Sequence, residues 1–158
     1  MNIEALISIA PLSWSSIGAS VFCGGIIGLE RQLKGKPVGI RTSSLIVLGT
    51  YIFVAISAIV SNGMSDPSRV IGQVVTGIGF LGAGVMLARE GMVVGVTSAA
   101  TIWSLAALGV CIAALDDLLA IKLAFLIVLI LYGIDLLERY SALLTRGVHA
   151  KYNHWRRK

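Results

Sequence analysis

Between Arg69 and Arg89 lie nineteen consecutive residues without a charge. At about 1.5 Å rise per residue such a run makes roughly 28 Å of helix, close to the hydrocarbon thickness of a bilayer. Five of the nineteen are glycines: Gly72, Gly77, Gly79, Gly82 and Gly84. In water each would weaken a helix by about 0.5–1 kcal/mol relative to alanine. In a membrane, small residues instead let helices approach backbone to backbone. The run therefore reads as a spanning helix and as the packing centre of a bundle.

The rest of the chain agrees with that environment. Of 158 residues, 56% are hydrophobic and 13% charged, with a mean hydropathy of +0.89. A soluble domain carries about 25% charged residues, so this chain has too few to cover a water-facing surface. The class is an all-α, polytopic membrane protein of one domain, with the lipid bilayer as its first partner. No basic patch is interleaved with exposed aromatics on a soluble module, so nucleic acid is not expected as a partner. Cys23 and Cys111 lie in apolar segments without CxxC spacing or a partnering histidine, and read as packing residues. No basic n-region or cleavage site marks the first residues as a removable signal peptide.

Five spans can be placed, at about 13–29, 42–60, 70–88, 97–115 and 118–137, in a transmembrane domain of residues 1–138. A basic tail follows at 139–158. Ser20, Gly24 and Gly28 form a small-xxx-small ridge on the first span, one candidate face for a homodimer. Ser61-Asn62-Gly63 is a turn signal, and Arg89 to Val96 reads as a short link. Lysine and arginine are split unevenly. Loop 1–2 carries four (Arg31, Lys34, Lys36, Arg41), link 3–4 one (Arg89) and the tail six, against Arg69 on the other side, with Lys122 just inside the fifth span. The positive-inside rule then puts the N-terminus outside and the C-terminus in the cytoplasm. A shift of 56 residues lays Gly28, Gly35, Val38 and Gly39 onto Gly84, Gly91, Val94 and Gly95. That is the mark of a candidate parallel repeat of helices 1–2 and 3–4.

Gly35-Lys36 does not make a phosphate loop: the glycine spacing is wrong, Pro37 replaces the Ser/Thr, and no strand precedes it. Thr42 and Thr97 read either as plain N-caps with Arg41 anchoring lipid phosphate, or as a weak anion site built from helix-start amides. Gln73, Thr76 and Thr101 read as intramembrane polar groups facing inward, with Trp103 nearby. Asp66, followed by Pro67, reads as a helix cap, with Arg69 as a candidate ion partner. Asp135 reads as an i,i+4 partner of Arg139. No carboxylate sits near mid-bilayer to strip water from a cation, which weighs against an ion-coupled pump. His149 and His154 have no catalytic partner. The expectation is no enzyme activity, no metal and no cofactor.

Three stretches together resemble the MgtC/SapB family of bacterial inner-membrane proteins. They are Gly24-Gly25-Ile26-Ile27-Gly28-Leu29-Glu30-Arg31-Gln32 with Gly35 to Thr42, Asp66 to Gly84, and Gly95 to Trp103. The resemblance implies five transmembrane helices, an inner (plasma) membrane location, and a link to growth in low magnesium and to virulence. It further implies a regulatory role, with the F-type ATP synthase proposed as a partner for some members. Many members carry a C-terminal cytoplasmic domain of ACT-like type. This sequence ends at Lys158, shortly after the fifth span, as a short or truncated member would.

Carried over by position, the family's motif residues are Glu30, Arg31, Gln32, Lys36, Arg41, Thr42, Asp66, Arg69, Gln73, Gly79, Gly82, Arg89, Thr97, Thr101 and Trp103. Glu30, Arg31, Gln32, Lys36, Arg41, Thr42, Arg89 and Thr97 would form an inner-face polar cluster. Gly24, Gly28, Gly79, Gly82 and Gly84 would pack helices. The resulting expectation is a non-enzymatic regulator acting on a membrane partner, most simply as a homodimer. The alternative is a cation (Mg²⁺) transporter or channel.

Overall fold

The computed structural model describes residues 8–60, 66–89 and 92–140. The turn expected at 61–63 and the tail from 141 onward, including His149 and His154, lie outside them. Five helices follow in order: α1 (Trp14–Leu33), α2 (Ile40–Val60), α3 (Pro67–Gly84), α4 (Val96–Ala114) and α5 (Asp117–Tyr140). Three of them, α2, α4 and the Asp117–Leu137 part of α5, are long and apolar enough to cross a membrane. That composition is what a membrane protein requires.

Caps set the helix starts. Ser13 accepts from the Ser15 amide at the head of α1, and Asp66 Oδ1 accepts from Ser68 N at 2.9 Å at the head of α3. Asp116 Oδ2 accepts from Leu119 N at the head of α5. The capping reading of Asp66 is thus realised. Its exposed carboxyl sits below the usual range because its hydrogen bonds to Ser68, side chain then backbone, favour the charged form.

α2 and α4 start earlier than expected, and neither Thr42 nor Thr97 is a cap. The Gln32 side chain reaches across from α1, and its Oε1 accepts from Ile40 N at 3.3 Å. For α4 the cap is Gly95, at φ 92°, with no side-chain hydrogen bond. The Gly39 and Gly95 carbonyls accept the first helical bonds, from Ser43 and Ala99.

The third helix also differs from expectation. It stops at Gly84, and the following residues form a two-stranded antiparallel hairpin, β1 (Leu87–Arg89) with β2 (Met92–Val94), in the register Leu87↔Val94 and Arg89↔Met92. A strand pair satisfies backbone groups that a continued helix through Ala88 would have bonded internally.

The packing centre is α2, not α3. A Cβ on Gly24 would stand 2.5 Å from Ser44 Cα, and one on Gly28 2.6 Å from Ile40 Cα, so α1 meets α2 backbone to backbone. On its other side a Cβ on Gly109 of α4 would stand 2.6 Å from Val47 O and Thr50 Cβ. Cys23, Ile27, Val47, Leu105 and Leu108 fill the core between these three helices. The ridge of Ser20, Gly24 and Gly28 is consumed inside the chain and is closed to a second copy. In α3, by contrast, Gly72, Gly77, Gly79 and Gly84 face open space, and only Gly82 is near a neighbour, Ala99.

Candidate functional site

The last turn of α1 carries charge into the bundle. Glu30 and Arg31 are 8% and 4% exposed, the two buried charged residues among those described. Arg31 finds its partner on a distant helix, whereas Glu30 is met by cations of its own segment. Arg31 Nη2 donates to Ser98 Oγ at 2.9 Å, in the first turn of α4. Glu30 Oε1 lies 2.7 Å from Lys34 Nζ, and Oε2 lies 3.9 Å from Arg31 Nη1. Lys34 then reaches α5: its Nζ is 2.9 Å from Asp135 Oδ2, donates to the Leu131 carbonyl at 3.3 Å, and sits 5.1 Å from the centre of the Tyr132 ring. Ser98, Arg31, Glu30, Lys34 and Asp135 thus form one chain of contacts joining α4, α1 and α5.

Two cations and two carboxylates make the set electrically neutral, which is how buried charge is normally tolerated. Burial alone would lower the Lys34 pKa. Its hydrogen bonds to Glu30 and Asp135 outweigh that and hold it above the ordinary lysine value. Three buried atoms, Glu30 Oε1, Glu30 Oε2 and Arg31 Nε, make no hydrogen bond among the described residues. Oε1 is met by the Lys34 ion pair, which leaves Oε2 and Arg31 Nε, and such groups in a native fold call for an explanation.

The residues expected in the inner-face cluster divide sharply. Glu30 and Arg31 are inside it. Gln32 caps α2, while Lys36, Arg41, Thr42 and Thr97 are exposed around it. Arg89 lies in β1, with its side chain outside those described. Asp135 meets Lys34, and the side chain of Arg139, its expected partner, is likewise outside the described set. Lys34 and Ser98 complete the cluster but were not among the expected cluster residues. The signal for Lys34 was its i,i+4 spacing from Glu30; Ser98 had none, being 67 residues from Arg31.

The expected intramembrane polar set does not converge. Thr101 is buried and its hydroxyl donates to Thr97 O, but Gln73 and Thr76 are exposed on the open side of α3 and Trp103 is 56% exposed. Thr76 donates to Gly72 O within its own helix. An apolar groove between α3 and α4, lined by Ile71, Val74, Val75, Trp103 and Ala106, lies away from the charged cluster. Among the described residues no three of His, Cys, Asp and Glu gather at one place.

Known proteins resemble the chain over this whole region. The MgtC family matches residues 17–140. "Protein MgtC" of Brucella abortus (strain 2308) is 43% identical over 112 residues, covering 70% of this chain and 47% of the relative. "Putative magnesium transporter YhiD" of Escherichia coli (strain K12) is 45% identical over 101 residues, covering 60% and 46%. A Haemophilus influenzae protein is 36% identical over 157 residues, covering 92% and 62%. The chain spans about half the length of the first two. No solved structure matches it. The family match runs from α1 through α5 and takes in every residue of the charged cluster, so the chain belongs to the MgtC family.

Proposed function

We propose that this chain is a non-enzymatic regulatory protein of the bacterial inner membrane, tied to magnesium homeostasis and to growth in low magnesium or virulence. It acts through the hinge end of its bundle on a membrane partner such as the F-type ATP synthase. In this reading all five helices span, the N-terminus is outside, and the Glu30–Arg31–Lys34–Asp135 cluster lies at the cytoplasmic face among Gln32, Lys36, Arg41, Thr42, Arg89 and Thr97. The uneven lysine and arginine distribution supports the orientation. The helix-initiating carbonyls of Gly39 and Gly95, 56 residues apart, support a parallel repeat. The names of the Brucella and Escherichia relatives support the magnesium link.

One observation carries the regulatory reading: charge is concentrated at one end of the bundle over an apolar core. Ile27, Val47, Leu105 and Leu108 fill the interior, and no buried carboxylate but Glu30 stands among the described residues. Mg²⁺ gives up its water reluctantly and is held by carboxylates, so a bundle of this kind is better suited to signalling at one face than to passing the ion. The name of the Escherichia relative keeps a magnesium transporter or channel as the second reading.

The deciding experiment pairs two assays. Cells carrying Arg31→Met at wild-type protein levels should lose the low-magnesium growth phenotype, and the purified wild-type chain in liposomes should show no Mg²⁺ flux. Unchanged growth with a folded variant sinks the regulatory reading. Measurable flux replaces it with transport.

A further inference from the structure

We infer that the hinge end holds a protonated phosphate group, bound between the first turn of α4 and the Glu30–Arg31 pair. Four observations converge. The amides of Val96, Thr97 and Ser98 have no acceptor among the described residues, and the Gly95 cap supplies none. Arg31 is pinned to that same turn through Ser98, and its Nε is a buried donor without an acceptor. Glu30 Oε2, beside it, is a buried acceptor without a donor. The start of α2 lies against the same turn of α1, at Gly28 and Gln32.

Glu30, Arg31, Lys34 and Asp135 sum to zero, and the positive start of α2 is opposed by the negative end of α1 beside it. The sign of the ligand is therefore set by the unbonded first-turn amides of α4, the positive end of that helix. Hydrogen bonding decides its kind. Arg31 Nε and the α4 amides require acceptor oxygens, whereas Glu30 Oε2 requires a donor on the same ligand. Chloride and sulfate offer no donor at neutral pH, and neither does the phosphodiester of an ordinary phospholipid. Inorganic phosphate and a protonated phosphomonoester offer both. The sequence alone suggested Arg41 as the basic group beside the helix starts. Arg41 is exposed, and Arg31 is the guanidinium that reaches α4.

The inference rests on the hinge end being the working face, but its test does not pass through growth. The full chain in phosphatidylcholine nanodiscs is titrated with inorganic phosphate and with sulfate at constant ionic strength and neutral pH, and binding is read by equilibrium dialysis. Saturable phosphate binding preferred over sulfate by about ten-thousandfold is expected, as for sites that hydrogen-bond a ligand hydroxyl. Glu30→Gln should bring that preference within about tenfold. Ser98→Ala should weaken phosphate about tenfold with the preference kept, since it only frees the guanidinium. A second set of nanodiscs contains phosphatidic acid. Phosphate binding abolished there identifies the lipid monoester as the natural source, and binding unaffected identifies the free ion. Absent phosphate binding, or sulfate bound equally well by the wild type, overturns the proposal while leaving the low-magnesium growth test intact.

Discussion

At the residue scale, the cluster behaves as a unit whose members are worth more together than apart. Arg31→Met leaves Glu30 buried with Lys34 as its remaining close cation, and breaking a buried pair this way costs about 3–5 kcal/mol. Ser98→Ala removes one hydrogen bond and should cost about 1 kcal/mol. Chemical unfolding in detergent checks both, and the Arg31→Met/Glu30→Gln pair should fall well short of the sum of its singles. Lys34 adds a pH signature. Its folded pKa lies above the ordinary 10.5, so its stabilising contribution is complete below that value and fades as pH climbs through the higher folded one. Melting temperature should therefore hold through neutral pH and fall in the alkaline limb, with Lys34→Met flattening that limb. Glu30 and Arg31 were legible as charged residues at a helix end. Their burial was not, because the groups that make it tolerable, Ser98 and Asp135, come from helices far along the chain and leave no local pattern.

At the scale of elements, glycine content alone did not say which helices touch. α3 is richest in glycine, yet the contacts that only glycine permits are made by Gly24 and Gly28 of α1 and Gly109 of α4 against α2. A small residue permits close approach but does not compel it. Gly28→Ala should thus cost about 1–3 kcal/mol or more, because its Cβ meets backbone that cannot yield. Gly72→Ala, in open space, should be neutral or stabilising by about 0.5–1 kcal/mol. Thermal unfolding of the two variants separates the helices directly, and equal effects would put the packing centre back on α3. The hairpin carried a readable signal. Leu87-Ala88-Arg89 and Met92-Val93-Val94 flank Glu90-Gly91, a two-residue connection ending in glycine. The apolar run before it masked that signal, since Val85 to Ala88 extends the hydrophobic stretch without a break. Gly95 closes the hairpin onto α4 at φ 92°, and a Cβ there would collide with the Val85 carbonyl. Gly95→Ala should accordingly lose at least about 1–3 kcal/mol.

At the scale of the molecule, the five helices of the described residues and their order were legible from charge-free runs, and three of the five are long and apolar enough to cross a membrane. What hydropathy could not supply is which faces are spent inside the chain. The Ser20–Gly24–Gly28 ridge is spent on α2, so a homodimer must use another surface. The open side of α3 presents Gly72, Thr76, Gly79 and Ala83 at spacings of four, three and four residues. These fall on one helical face, beside an exposed Gln73 that has no partner among the described residues. An amide left to hydrocarbon is costly, and a facing copy of the same amide relieves it. We therefore expect self-association through α3. Gly79→Leu should abolish the dimer while leaving the monomer folded, because nothing stands within 4 Å of a Cβ there. Gly24→Leu should instead unfold the chain, since the same change drives into Ser44 backbone. Cross-linking in native membranes, with sedimentation in mild detergent, reads both. A wild-type chain that is monomeric in each, or a Gly79→Leu variant that still dimerises, would remove α3 as the interface and leave its open face to lipid.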